Sequence, residues 1–259
     1  MFTRLVGLDN WTMAAWRGLF GAAGICVVML LLRERDVWGS LRSMGWRGWL
    51  FVVQSALGMS FYLAALRHTT VASVAVIYAT TPLLAASLSW FFFRERPARS
   101  ALIGTGLALS GVVIMMGFSG EGAVLGDLLA FGMTFSMATA TVVARNFQGI
   151  PILATSALSS LLCGLVCWPL GTPLAVGTRD LGILALFGIV NFAIGLPLFT
   201  FGARLLPAIE TALIGALDAP LAPLWVWLVF RETPSAATLF GGALVFFAVA
   251  MHLFAGRES

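Results

Sequence analysis

Lysine does not occur in this chain, and charge of either sign is scarce: fifteen arginines and eleven acidic residues are spread over 259 positions. Without lysine there is no phosphate-binding glycine-rich loop of the kind whose lysine reaches the phosphates, so a nucleotide-driven pump would need another subunit. Histidine and cysteine are also rare, with two and three residues. Cys26, Cys163 and Cys167 are odd in number, lie inside apolar stretches and lack zinc-ligand spacing, so they read as packing residues. No His-Glu-x-x-His and no haem-type cysteine pair is present, and no cofactor or metal is expected. Only 10% of the residues are charged, against about a quarter in soluble domains, and that leaves too few polar side chains to cover a soluble surface.

What the chain has instead is apolar length, with 60% hydrophobic residues. A hydrocarbon core of ~30 Å takes about 20 residues of helix to cross, and helices satisfy their own backbone groups where lipid offers no partner. About nine apolar runs fit: 11–32, 47–66, 70–93, 99–118, 125–145, 152–173, 182–203, 207–230 and 235–255. The fold class expected is an all-α polytopic membrane helix bundle. The first run is too long for a signal-peptide core and lacks a basic start beyond Arg4, so no cleavable leader is expected.

Arginine placement orients the bundle, because cytoplasmic loops carry the excess of basic residues. With the C-terminus inside, Arg33, Arg35, Arg42, Arg47, Arg94, Arg96, Arg99, Arg145, Arg204 and Arg257 fall on the inner side, and only Arg4, Arg67, Arg179 and Arg231 on the outer. Nine spans then place the N-terminus outside, as if a preceding helix were missing. Trp11, Trp46, Trp49, Trp90, Trp225 and Trp227 near span ends fit the interface preference of amphipathic rings. The basic residues are scattered singly, which argues against a nucleic-acid partner. The localisation expected is a bacterial-type inner membrane, multi-pass, with the C-terminus cytoplasmic.

The stretch 69–118 matches 207–255. Thr80-Thr81-Pro82, Arg94-Glu95-Arg96-Pro97 and Gly104-Thr105-Gly106 in the first copy answer to Asp218-Ala219-Pro220, Arg231-Glu232-Thr233-Pro234 and Gly241-Gly242 in the second. The offset is 138 residues at the first proline and 137 from Arg-Glu onward, which predicts a one-residue slip within the helix end. Five spans separate equivalent positions, so the copies cross the membrane in opposite directions. Inverted repeats are a transporter architecture whose substrate site lies near the midplane, at discontinuous helices.

These motifs, with Leu125-Gly126-Asp127-Leu128-Leu129-Ala130 opening the second half and Arg17 early in the first span, resemble the drug/metabolite transporter superfamily, EamA-type. The resemblance covers essentially the whole chain. It implies ten helices in two five-helix repeats, and export or import of amino acids, metabolites or drugs. The repeats expected are 1–120 and 121–259. The first lacks the helix that would match 125–145, and Gly7-Leu8-Asp9-Asn10 resembles the loop that would follow it.

Polar groups deep in a bilayer cost free energy and usually face a cavity or a partner. Asp218, two residues before Pro220, is read as a coupling or substrate-amine site, against a structural ion pair or a neutral buried carboxyl. Glu210 lies eight residues earlier, ~12 Å nearer the inner end and about 80° around the axis, and either lines the same path or faces Arg204 at the interface. Arg17 contacts a carboxylate or anion in a cavity, snorkels to the outer surface, or makes a structural pair. Tyr78, Thr80 and Thr81 beside Pro82 occupy the repeat position of Asp218 and Pro220, and the two proline-interrupted helices together point to the site. Asn191, Gln54 and Tyr62 are hydrogen-bonding candidates, with helix–helix contacts the alternative. Asp127 reads as a helix N-terminal charge, and His68 and His252 receive no role.

The function expected is secondary active transport of a small metabolite, amino acid or drug-like solute, in the export direction, with a homodimer allowed. A non-transporting or truncated accessory membrane protein is the alternative raised by the missing helix. A membrane-embedded enzyme would need clustered His, Asp or Ser-His pairs at the interface, and these are absent.

Overall fold

A computed structural model describes residues 8–31, 39, 44–116, 124–147, 149–230 and 235–255. Arg4, Gly7, Arg33, Arg35, Arg42, Arg257 and the second Arg231-Glu232-Thr233-Pro234 motif lie outside the described residues. Every regular element among the described residues is a helix. In order they are α1 (Asn10–Leu31), α2 (Gly45–His68), α3 (Val71–Tyr78), α4 (Thr81–Phe93), α5 (Arg99–Met116), α6 (Val124–Asn146) and α7 (Ile152–Cys167). There follow α8 (Thr178–Gly188), a π-helical turn (Ile189–Gly195), α9 (Leu196–Leu205), α10 (Ala208–Gly215), α11 (Asp218–Phe230) and α12 (Ala236–Ala255).

Six stretches are long and apolar enough to cross a bilayer: Asn10–Leu31, Gly45–His68, Ser73–Phe93, Val124–Asn146, Ile152–Leu170 and Thr178–Leu205. Arg99–Met115 and Ala236–His252 are apolar but shorter, and the predicted run 207–230 is divided into α10 and α11. The chain is thus an all-helical polytopic membrane protein.

Local chemistry sets several helix ends. The Thr70 side chain caps α3 by accepting from the Ser73 amide at 3.1 Å. α4 ends where Arg94 turns left-handed at φ 59, which closes the last turn onto the Ser89 and Trp90 carbonyls. Asp9 caps α1, accepting from the Thr12 amide at 3.0 Å. Burial pushes the Asp9 carboxyl up, but hydrogen bonds from Thr12 and Trp11 together outweigh it and hold the group below its ordinary value.

The helices fall into two compact units. The first comprises 64–142 and 206–259, and the second 2–63 and 143–205. Within the first, helix starts recur at one constant interval of 137 residues: Val71 and Ala208, Thr81 and Asp218, Arg99 and Ala236. The ends Tyr78 and Gly215, and Phe93 and Phe230, keep the same interval. The slip expected within the helix is therefore not in the backbone. The proline alone moves, from the second residue of α4 to the third of α11.

Equivalent helices α5 and α12 cross antiparallel. A Cβ on Gly111 would stand 2.6 Å from the Gly241 carbonyl oxygen, and one on Gly241 would strike the Gly111 carbonyl. Seven residues before Gly111, Gly104 meets Ala248, seven after Gly241. Each contact is the 137-residue image of the other, as a two-fold relation between inverted copies requires. Small residues matter because lipid supplies no hydrophobic drive between helices, and van der Waals contact at close approach must hold them. Ala108, Val112, Val245, Ala248 and Val249 form the buried core of the crossing, with Ala79 and Leu213 of the broken helices packed into it.

The second unit is organised by α1 against α7, again through glycine: a Cβ on Gly18 would lie 2.6 Å from the Ser160 carbonyl oxygen. Ile25, Met29, Leu153, Ala154 and Ala193 fill one part of this unit, and Ala14, Ala15, Leu63, Cys163 and Cys167 another. Cys163 and Cys167 are packing residues of that core, whereas Cys26, also expected to pack, is exposed.

Candidate functional site

The two broken helices belong to one unit, and their breaks meet the same core. Ala79 lies at the first break and is buried in the cluster that includes Leu213, and Leu217 and Ala219 of the second break pack against it. That cluster sits at the middle of α5 and α12, around Ala108 and Val245, so both breaks lie at mid-height of the unit.

Backbone bonding at the breaks is the same for two successive amides. Ala79 N–H donates to Ala75 O at 2.9 Å and Thr80 N–H to Ile77 O at 3.0 Å, and their images are Ala216 to Ala212 at 3.1 Å and Leu217 to Ile214 at 3.0 Å. The step from i−4 to i−3 bonding tightens each helix before it restarts. Beyond that step the copies diverge. Pro82 lacks the N–H that would reach the Tyr78 carbonyl, and the Thr81 hydroxyl donates to that carbonyl instead. In the second copy the position of Thr81 is held by Asp218, whose carboxylate cannot donate, and the Ala219 N–H turns to the Ala216 carbonyl at 3.2 Å.

Pro82 and Pro220 are buried, and Asp218 is exposed. Among the described residues Asp218 makes no hydrogen bond and no ion pair. Of its two structural alternatives, the ion pair is absent among the described residues, and a carboxyl kept neutral remains. Thr81 is buried and its hydroxyl donates to the Tyr78 carbonyl, so it shares the repeat position of Asp218 but differs from it in exposure. Tyr78 is half-buried, immediately before the first break.

Glu210 stands in the first turn of α10, and its Oε1 lies 3.6 Å from Nε2 of His252. Arg204, the partner expected at the interface, is spent inside the second unit, where its guanidinium donates to the Ile150 carbonyl and its own carbonyl accepts from Arg145 at 2.7 Å. His252, given no role from sequence, is 3% exposed, and its Nδ1 is 3.2 Å from Ser100 Oγ. Nothing local in the sequence marks it. The 137-residue offset does, since its image is the apolar Met115. Asp127 sits in the first turn of α6 and accepts from the Thr69 hydroxyl at 2.9 Å, which is a structural contact.

Arg17 and Asn191 belong to the second unit, described by itself. Arg17 does not snorkel: it is 7% exposed, with its guanidinium carbon 5.0 Å from the centre of the Phe187 ring. A Cβ on Gly188 would lie 2.7 Å from the Arg17 carbonyl oxygen, so α8 packs directly on the turn that carries it. The backbone of Asn191 lies in the π-helical turn Ile189–Gly195, an irregularity that often marks functional positions, and its side chain is outside the described residues.

Residues 1–117 and 124–254 each match the EamA-like transporter family. An uncharacterized transporter of Bacillus subtilis (strain 168), YwfM, is 27% identical over 89% of this chain and 80% of its own length. An uncharacterized transporter of Synechocystis sp. is 25% identical over 83% of this chain and 66% of its own length. A protein of known crystal structure has the same fold, with a TM-score of 0.82 and 23% identity over 97% of this chain and 90% of that one. Two family matches that between them take in nearly all of the sequence place this chain in the EamA-like transporter family.

Proposed function

We propose that the chain is a secondary active transporter that exports a small solute bearing a cationic group, an amino acid or an amine-containing metabolite or drug. Two inverted repeats, 1–120 and 121–259, expose a site at the broken helices first to one side of the membrane and then to the other. It resides in a bacterial-type inner membrane with its C-terminus in the cytoplasm, the orientation that the arginine bias favours.

The observation that carries this reading is Asp218: an exposed carboxyl group without a partner among the described residues, at mid-height of an apolar unit, on the first residue of a restarted helix. Leaving such a group unpaired costs stability, and a ligand ammonium removes that cost. Tyr78 is assigned a hydrogen bond at the first break and Glu210 a place on the path within the same unit. Arg17, held against Phe187, and Asn191 are assigned binding or coupling roles within the other unit.

Export of a panel of amino acids from cells carrying the chain tests this. A charge-assisted contact is worth about 1.5–3 kcal/mol, so Asp218→Asn and Arg17→Ala should each lower export of the moved solute by roughly ten- to a hundredfold at unchanged membrane abundance. Variants that both match the parent on that solute would remove the assignment. No export of any amine or amino acid by the parent would favour the accessory-protein reading.

A further inference from the structure

The first unit has two ends related by its repeat, and they are not chemically alike. At one end His252 rests on Gly104, where a Cβ would be 3.5 Å from the His252 Cβ, and Glu210 and Ser100 flank its ring. At the image positions stand Met115 on Gly241, Ser73 and Ala237, none of which ionises. The backbone frame is shared, so the difference belongs to the side chains.

We propose that His252 and Glu210 form a proton-binding site that fastens one end of this unit, holding the start of α10 against the end of α12 when the imidazole is charged and releasing it when neutral. Imidazole is the side chain whose ordinary titration falls within pH ~5–8. Charged, the ring donates from both nitrogens, Nδ1–H to Ser100 Oγ and Nε2–H toward the Glu210 carboxylate, and ties together three helix ends from α5, α10 and α12. Neutral, it keeps one N–H and the ion pair is lost. The proton comes from and returns to water, which reaches the pair through Glu210, 23% exposed at its side chain against 4% for His252. Of the elements packed on α12, α5 brings Arg99, exposed and next to Ser100, and α11 brings only Asp218, at the level of the break. α4, packed on α10, is followed by Arg94, Glu95 and Arg96. At the opposite end stand Arg67, His68 and the Asp127–Thr69 contact.

What the site gates rests on the transporter reading: one of two gates would respond to pH on its own side of the membrane. The proton site does not rest on it, and it is tested without solute. Hydrogen–deuterium exchange of the full chain in lipid nanodiscs is followed at peptides covering 208–215 and 71–78, with rates corrected for intrinsic pH dependence. All samples carry His68→Gln, so that His252 is the one imidazole. Between pH ~6 and ~8 protection of 208–215 should fall about fivefold, the scale of a partly screened ion pair, with 71–78 unchanged. His252→Gln and, separately, Glu210→Gln should each flatten the response. The proposal is overturned if either variant keeps the parent's pH response, if the parent shows none, or if 71–78 changes as much as 208–215.

Discussion

The break between α3 and α4 and the break between α10 and α11 have the same backbone and opposite chemistry. Both halves stop and restart at equivalent residues, and both tighten through the same i−3 bond, Thr80 to Ile77 and Leu217 to Ile214. At the first break the next side chain is Thr81, which closes the gap with its own hydroxyl. At the second it is Asp218, which has nothing to donate and is left accessible. A duplicated frame thus carries two side-chain arrangements: at one break a hydroxyl is committed to the backbone, and at the other a carboxyl group is exposed. The prolines occur in both because each removes a donor that would otherwise continue the helix, and their one-residue difference changes which carbonyl must find another partner.

The comparison depends first on the crossing that holds both breaks at one level. Gly111→Leu would drive a side chain into the Gly241 backbone, which cannot give way as a flexible side chain can, so folded protein should be lost from the membrane fraction. Folding of this variant at parental yield would detach the breaks from the crossing. Next in size is Asp218→Thr, which makes the second break like the first: helicity and thermal stability should be kept or raised, and export lost by tenfold or more. Retained export would mean that the difference between the copies is incidental. Thr81→Ala should act in the reverse sense. It deprives the Tyr78 carbonyl of its hydroxyl donor, costs about 1 kcal/mol of stability and leaves export within a few-fold of the parent. A transport loss as large as that at Asp218 would put Thr81 on the solute path after all.

Much of this frame is legible in the sequence because lipid allows so few solutions. Apolar runs near the length of a bilayer have to be helices, and proline inside such a run removes a backbone donor, so the positions around Pro82 and Pro220 are marked before any coordinates are known, although Pro223 is accommodated inside α11 without a break. The repeat is visible through the same punctuation. The slip is not resolved there, since a moved proline and an inserted residue look alike until helix ends are compared. Side-chain pairing is the part hidden from view. Glu210 sits closer in sequence to Arg204 than to His252, and only the antiparallel return of α12 brings the histidine to it. The commitment of Thr81 depends on one torsion, and the π-helical turn at Asn191 is set by packing against α1, where Gly24 admits Ala193, and no local signal encodes it. Arg17 reads from sequence as a charge in search of an outlet, and its place on Phe187 requires α8 to be known.

The inverted relation of the two copies is the claim from which the shared level of the breaks and the unequal ends both follow. Ala98 and Ser235 are equivalent under the 137-residue interval, exposed, and each next to the start of its helix. Single cysteines at these positions, in a chain whose Cys26, Cys163 and Cys167 have been replaced, should react with a membrane-impermeant maleimide from opposite faces in right-side-out and inverted vesicles. Labelling of both from the same face would contradict the account.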